Sequence, residues 1–223
     1  MKIRFHRALH INVRSQQPTS MTKPPVIYVV DDDDRIVSAL CATLESVGYA
    51  HRGYTTAHAF LDGVKECHSG CVLLDVIMPG MDGLQIQAEL QQRQCTLPLI
   101  FLSGQSDVNV AVAAMRCGAF DYIEKPPTAY TVIGAVNRAL EHFGRLNQQR
   151  DRLAGVRERF SGLTRRERDV LGHLAAGETN KTIADQFGLS SRTVEIHRAN
   201  IMGKMGAQSL ADLVRMCVDI GIA

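Results

Sequence analysis

Asp75 closes the uninterrupted apolar run Val72-Leu73-Leu74, and the turn-forming residues Met78-Pro79-Gly80 and Asp82-Gly83 follow it. A short apolar run bounded by turn residues reads as a buried strand. Asp75 then stands where a central strand ends, the place where open parallel sheets bind ligands. At this point two readings stand: a reactive carboxylate, or a cap for the next loop. A second acidic group follows another apolar run, Val26-Ile27-Tyr28-Val29-Val30, as four consecutive carboxylates from Asp31 to Asp34. Four adjacent like charges repel one another, so something must offset them. One candidate is the positive end of a helix. The other is a cation, and hard oxygen donors at a strand end suit Mg²⁺. Two further runs end in usable groups. Leu97 to Leu102 leads to Ser103, and Phe120 to Ile123 leads through Glu124 to Lys125. Carboxylates, a hydroxyl and an amine suit a divalent cation plus a phosphoryl group. The metal neutralises charge on the transferring oxygens, and the amine adds a point charge. Each residue also has a bland explanation, since Asp and Ser cap helices and Lys is usually solvated.

The elements that must position these groups alternate. Ile36, Val37, Leu40, Leu44 and Val47 recur at helical spacing after the four acids. Ala50 to Tyr54 is a weak strand, and Thr56 to Lys65 a helix. Leu84 to Arg93, Val108 to Arg116, and Tyr130 to about Arg145 give three more helices between and after the strands. Five strand–helix units predict an α/β doubly wound parallel sheet, with the flavodoxin-like (βα)5 order 2-1-3-4-5. In such a sheet Asp31, Asp32, Asp75, Ser103 and Lys125 all arrive at one edge. Chance placement does not supply that convergence.

Composition sets the outer bounds. The 223 residues are 45% hydrophobic and 22% charged, with a formal net charge of +2, which suits one large or two modest globular domains. Bulk charge therefore does not announce a nucleic-acid binder, and any such contact needs a local patch. The 6 Cys show no pairing framework, so they read as reduced thiols in a cytoplasmic protein. No apolar run reaches the roughly 18 residues a membrane span needs. Trp is absent, which argues against single-strand base stacking. Residues 1–24 are basic, with Lys2, Arg4, Arg7 and Arg14 and no acid. They read as a disordered extension or a basic arm, and Met21 is an alternative start.

Residues 26 to about 142 resemble a response-regulator receiver domain. The carriers are Val30-Asp31-Asp32-Asp33, Leu74-Asp75-Val76-Ile77-Met78-Pro79-Gly80-Met81-Asp82-Gly83, Leu102-Ser103-Gly104 and Asp121-Tyr122-Ile123-Glu124-Lys125-Pro126. The resemblance implies that Asp75 is the phosphoacceptor. It implies Mg²⁺ held by Asp32, Asp75 and the Ile77 backbone carbonyl, with Asp31 acting through water. Lys125 would hold a phosphoryl oxygen, and the Lys125–Pro126 bond would be cis. Ser103 and Tyr122 match the family's switch pair. A sensor histidine kinase would be the donor. A homodimer through the face of the fourth helix and fifth strand would be the response. Ile77 and Gln105 occupy two variable positions beside the site, and Ile77 cannot orient a hydrolytic water.

Residues 143–160 are polar but keep Leu146, Leu153 and Val156. They read either as an extension of the fifth helix or as a solvated linker. Beyond them, Leu163-Thr164-Arg165-Arg166-Glu167 carries a capping box. A helix ends near Gly177, a second covers Thr179 to Phe187, and Gly188-Leu189-Ser190 turns into a third from Ser191 to Met205. A fourth runs from Ser209 to Val218. Helix, tight turn, helix is the helix-turn-helix outline. Val194, Ile201 and Met205 should pack inward, leaving Arg192, Thr193, Glu195, Ile196, Arg198, Ala199 and Lys204 on other faces. An outward Ile196 beside Arg198 suits the major groove of double-stranded DNA.

This all-α region, within residues 161–223, resembles the four-helix LuxR-type helix-turn-helix. The carriers are Leu163 to Arg168, Asn180-Lys181-Thr182-Ile183-Ala184, and Ser190 to Met205. The pairing with a receiver is similar to the NarL/FixJ subfamily, on the FixJ side. It implies Glu195, Ile196 and Ala199 near base edges, with Lys181, Arg192, Arg198 and Lys204 at phosphates. RNA polymerase is a further partner the resemblance implies. Glu195 is either a cytosine reader or a helix-stabilising surface acid. Three readings compete for the whole chain. They are a DNA-binding regulator switched by phosphorylation, an aspartyl-phosphate phosphohydrolase, and a scaffold with a silent site. Ile77 stands where the hydrolase would need its general acid.

Overall fold

The computed structural model describes residues 24–64, 69–104 and 108–222. Five strands form one sheet in the order β2-β1-β3-β4-β5, parallel throughout, as expected. They are β1 (Val26–Val30), β2 (Ala50–Tyr54), β3 (Gly70–Asp75), β4 (Leu99–Ser103) and β5 (Asp121–Glu124). The helices between and after them are α1 (Asp34–Ser46), α2 (Ala57–Gly63), α3 (Gly83–Gln92), α4 (Val108–Arg116) and α5 (Ala129–Ser161). Gln105 and residues 1–23 fall outside the described residues.

The central strands are apolar without alternation because both of their faces are covered. Ile27, Val29, Leu73, Ile100 and Leu102 point to the side of α1 and α5, against Leu40, Leu44, Val132 and Val136. Their neighbours Tyr28, Val30, Val72, Leu74 and Phe101 point to the side of α2 and α3, against Phe60, Ile86 and Leu90. Sheet pairing then fixes the functional edge. Val30 lies opposite Leu74, Asp75 opposite Leu102, and Ser103 opposite Glu124. Cys41, Cys71, Cys117 and Cys217 are free, but Cys95 is disulfide-bonded. That corrects the reading of every cysteine as a reduced thiol. Scattered spacing carries no information on pairing.

The chain divides into two compact units, residues 1–146 and 147–223. α5 is one helix of 33 residues, so the charged stretch extends it instead of forming a solvated coil. Its later residues belong to the second unit: Val156 is 1% exposed, and Phe160 packs on the same core. α6 (Arg165–Ala175), α7 (Asn180–Phe187), α8 (Ser191–Met205) and α9 (Leu210–Asp219) complete that unit. Thr164 and Glu167 form the expected capping box. Gly188 ends α7 in the left-handed region at φ +63, and Ser190 caps α8 by accepting from the Thr193 N–H. Glycine takes that φ without the Cβ clash other residues meet. Val194, Ile201 and Met205 are the buried residues of α8. No helix of the described residues is long and apolar enough to cross a membrane.

Candidate functional site

The four-acid run separates into distinct jobs. Asp33 is the N-cap of α1, accepting from the Arg35 N–H, and Asp34 opens the helix. Asp33 is also paired with the Arg35 guanidinium, whose hydrogen bond holds its carboxyl down at about 2. Asp31 and Asp32 are left for the sheet edge. Asp31 is wholly buried, at 0% exposure, whereas Asp32 is exposed. Carboxylate oxygens of Asp31, Asp32 and Asp75 lie within 4.8 Å of one another.

Lys125 enters this acidic group from the end of β5. Its Nζ is 2.6 Å from Asp31 Oδ2 and 2.9 Å from Asp75 Oδ2. Asp31 Oδ1 accepts from the Asp33 N–H, and Asp75 Oδ1 from the Ile77 N–H. The Lys125 ammonium is thus the cation that offsets the buried Asp31 Oδ2. Hard oxygens from three carboxylates fit Mg²⁺, which takes few carboxylates and keeps several waters.

Burial pushes the Asp75 carboxyl upward, and Asp31 adds to it. The Lys125 ammonium and the Ile77 N–H work the other way. For Lys125, burial works to lower the pKa, but the two carboxylates outweigh it and the net shift is upward. The amine is therefore firmly cationic.

Ser103, the last residue of β4, is buried at the same edge, and Tyr122 of β5 is half-buried against the core. The Lys125–Pro126 bond is cis, as expected. Ile77, by contrast, is an apolar residue that is 64% exposed. On α4, Val112 and Met115 are exposed apolar residues.

In the second unit, α8 exposes Arg192, Glu195, Ile196 and Ala199, and Lys181 is exposed on α7. Ile196 is 51% exposed. Arg198 and Thr193 are half-buried, and the Thr193 hydroxyl is paired with that of Ser190. Arg192 pairs with Glu195 at 3.1 Å. Lys204 differs from the other expected phosphate contacts. Its Nζ lies 2.7 Å from Glu167 Oε2, which also accepts from the Thr164 N–H. Sequence reading missed this partnership because the two residues are 37 apart and no local pattern links them.

Fold and site together define a two-part regulator: a receiver followed by a LuxR-type helix-turn-helix. Residues 27–137 match the family described as Response regulator receiver domain, and residues 161–217 match Bacterial regulatory proteins, luxR family. The chain belongs to the NarL/FixJ-type response regulators, which control transcription. It is similar to Transcriptional regulatory protein FixJ of Azorhizobium caulinodans, 44% identical over 88% of this chain and 93% of the relative. Response regulator protein TodT of Pseudomonas putida is 37% identical over 86% and 84%. Among solved structures, the response regulator StyR superposes with a TM-score of 0.79 at 32% identity, covering 88% of this chain and 99% of that one. Full-length FixJ from B. japonicum gives 0.57 at 35% identity, covering 92% and 100%.

Proposed function

We propose that Asp75 accepts a phosphoryl group from the phosphohistidine of a sensor histidine kinase, and that the added charge drives dimerisation and sequence-specific DNA binding. The observation that carries this is the Lys125 ammonium seated between Asp31 and Asp75, with the Ser103 hydroxyl on the same edge. An Asp75 carboxylate oxygen attacks phosphorus in line. The P–O bond forms as the P–N bond breaks, and the electron pair leaves with the imidazole. Asp32, Asp75 and the Ile77 backbone carbonyl, with Asp31 through water, would hold Mg²⁺, which supplies charge neutralisation on the transferring oxygens.

Once Asp75 is an acyl phosphate, Lys125 pairs with a phosphoryl oxygen and the Ser103 hydroxyl donates to another. The space Ser103 leaves admits the half-buried Tyr122 ring. The α4–β5 face repacks around it and, with Val112 and Met115 exposed there, becomes a dimer surface. This is a population shift set by local charge. In the cytoplasm the dimer presents two α8 helices to major grooves. Lys181, Arg192 and Arg198 meet phosphates, while Glu195, Ile196 and Ala199 face the bases. Phosphate contacts position and base contacts specify. RNA polymerase is the partner such a bound regulator would act on.

Incubation with acetyl phosphate and Mg²⁺, followed by mass measurement, tests the first step. Wild type gains one phosphoryl group and Asp75→Asn gains none. An equal adduct on both proteins would place the acceptor elsewhere.

A further inference from the structure

The C-terminal end of α4 is held by more donors than a helix end needs. Gly118, at φ +89, closes it with two backbone bonds, Gly118 N–H to Met115 O and Ala119 N–H to Ala114 O. That pattern already satisfies two of the last carbonyls. A third, the carbonyl of Cys117, accepts from two side chains of α3. Gln87 Nε2 donates to it at 3.0 Å and Gln91 Nε2 at 2.8 Å. The glutamines are four residues apart, so both stand on the face of α3 turned to this carbonyl.

Gln87 makes its bond at a loss. It is 2% exposed, and its Oε1 is buried without a hydrogen-bond partner. An unsatisfied buried acceptor is destabilising, and an apolar side chain of the same length would fill the space without that loss. Local rules broken in this way mark positions with a role other than stability. The helix that carries the pair also begins on the acceptor loop. Asp82 caps α3, the Gly83 N–H donates to Val76 O at 2.9 Å, and Gly83 lies against the Asp75 carbonyl. One rigid helix thus has one end at the acceptor loop and the other on the end of α4.

We infer that Gln87 and Gln91 pin the end of α4 at Cys117 in the resting state only, so that switching must release this pin and its strength sets the resting population. The inference rests on the α4–β5 readout proposed above. The two glutamines are positioning residues, since neither touches the acceptor carboxylate.

The test uses the full chain in three forms: wild type, Gln87→Met with Gln91→Met, and Gln91→Lys. Methionine keeps an unbranched side chain of similar length but has no N–H. Lysine at the exposed position 91 restores a donor. Amide hydrogen exchange is followed across the receiver, and dimer formation is followed by sedimentation with and without acetyl phosphate. In the double variant, exchange in the last turn of α4 should quicken on the order of tenfold, ahead of the sheet. Dimer formation without a phosphoryl donor should rise on the order of tenfold, the change that about 1.4 kcal/mol of lost bonding produces. Gln91→Lys should track wild type on both measures. Exchange that quickens evenly over the whole receiver, or a locally loosened α4 with no donor-free dimer, would reduce the pair to an ordinary cap and overturn the inference. Unchanged α4 exchange would overturn it as well. A wild-type chain that gains no dimer with acetyl phosphate would instead defeat the α4–β5 readout, and the exchange measurement would still decide whether the pin exists.

Discussion

Glu167 is nearly buried and holds two donors at once, the Lys204 ammonium and the Thr164 N–H. The Lys204 hydrogen bond is the larger cause, and together they hold the carboxyl down at about 2 against its usual 4.5. The folded pKa lies below the unfolded one, so the stabilisation is complete above about pH 4.5 and is lost as pH falls through about 2. The Tm difference between wild type and Glu167→Gln should therefore shrink steadily from pH 5 to pH 2, and a pH-independent difference would contradict the pairing. The same pairing separates Lys204 from Lys181. Lys204→Met should lower stability by about 1–3 kcal/mol, the worth of a charged hydrogen bond with its partner left buried, yet keep the wild-type salt slope of DNA binding. Lys181→Ala should weaken all DNA sequences alike and reduce the salt slope by about one. At this scale the residues of the proposed acceptor site were legible because each follows an apolar run. The Lys204 partner was not, because a contact across 37 residues leaves no trace in spacing. Ile77 is legible in its consequence: with 64% exposure and no polar group it cannot hold an attacking water. The acyl phosphate of wild type should last minutes or longer, measured by loss of the mass adduct after donor removal, and Ile77→Asn should shorten it.

Between residue and molecule, the placement of Asp75 depends on how β3 hands over to α3. A Cβ on Gly83 would lie 2.4 Å from the Asp75 carbonyl oxygen and 2.8 Å from the Phe101 ring. Real Cβ atoms do not approach backbone so closely, so Gly83→Ala must push α3 away from the strand end. Expected results are a loss of a few kcal/mol in receiver stability and slower phosphorylation of Asp75, read by the mass adduct against time. An unchanged rate would show that the loop absorbs the shift. Sequence reading took Asp82-Gly83 as a turn and began the helix at Leu84. The structure makes Asp82 the cap and Gly83 the first helical residue. Strands were easier, because β1, β3 and β4 are buried on both faces and their apolar runs are unbroken. The ends drifted where polar residues are themselves part of the strand. β3 includes Asp75 and β4 includes Ser103, since strand pairing continues to the edge where the acidic group and Lys125 meet.

Across the whole chain, the boundary between the two units lies inside a helix. The polar residues of the stretch from 147 to 160 obscured this, because charge on three faces hides one buried stripe. Val156 and Phe160 supply that stripe, packing on the core that holds Leu171, Ile183 and Ile201. Arg152 pairs with Asp219 at 2.7 Å, and the Arg168 guanidinium lies 5.6 Å from the Phe160 ring. The helix-turn-helix is thus a five-helix body, although its family match starts only at residue 161. Burying one Val or Phe is worth about 1.5–3 kcal/mol. A chain starting at residue 147 should therefore be more stable than one starting at 161 by about 3–5 kcal/mol, a large share of what a small domain has. Urea unfolding of the two fragments measures the difference directly. Equal midpoints and slopes would mean that the end of α5 lies on the second unit without supporting it. In that case Val156→Ala in the full chain would leave the stability of α6 to α9 unchanged as well.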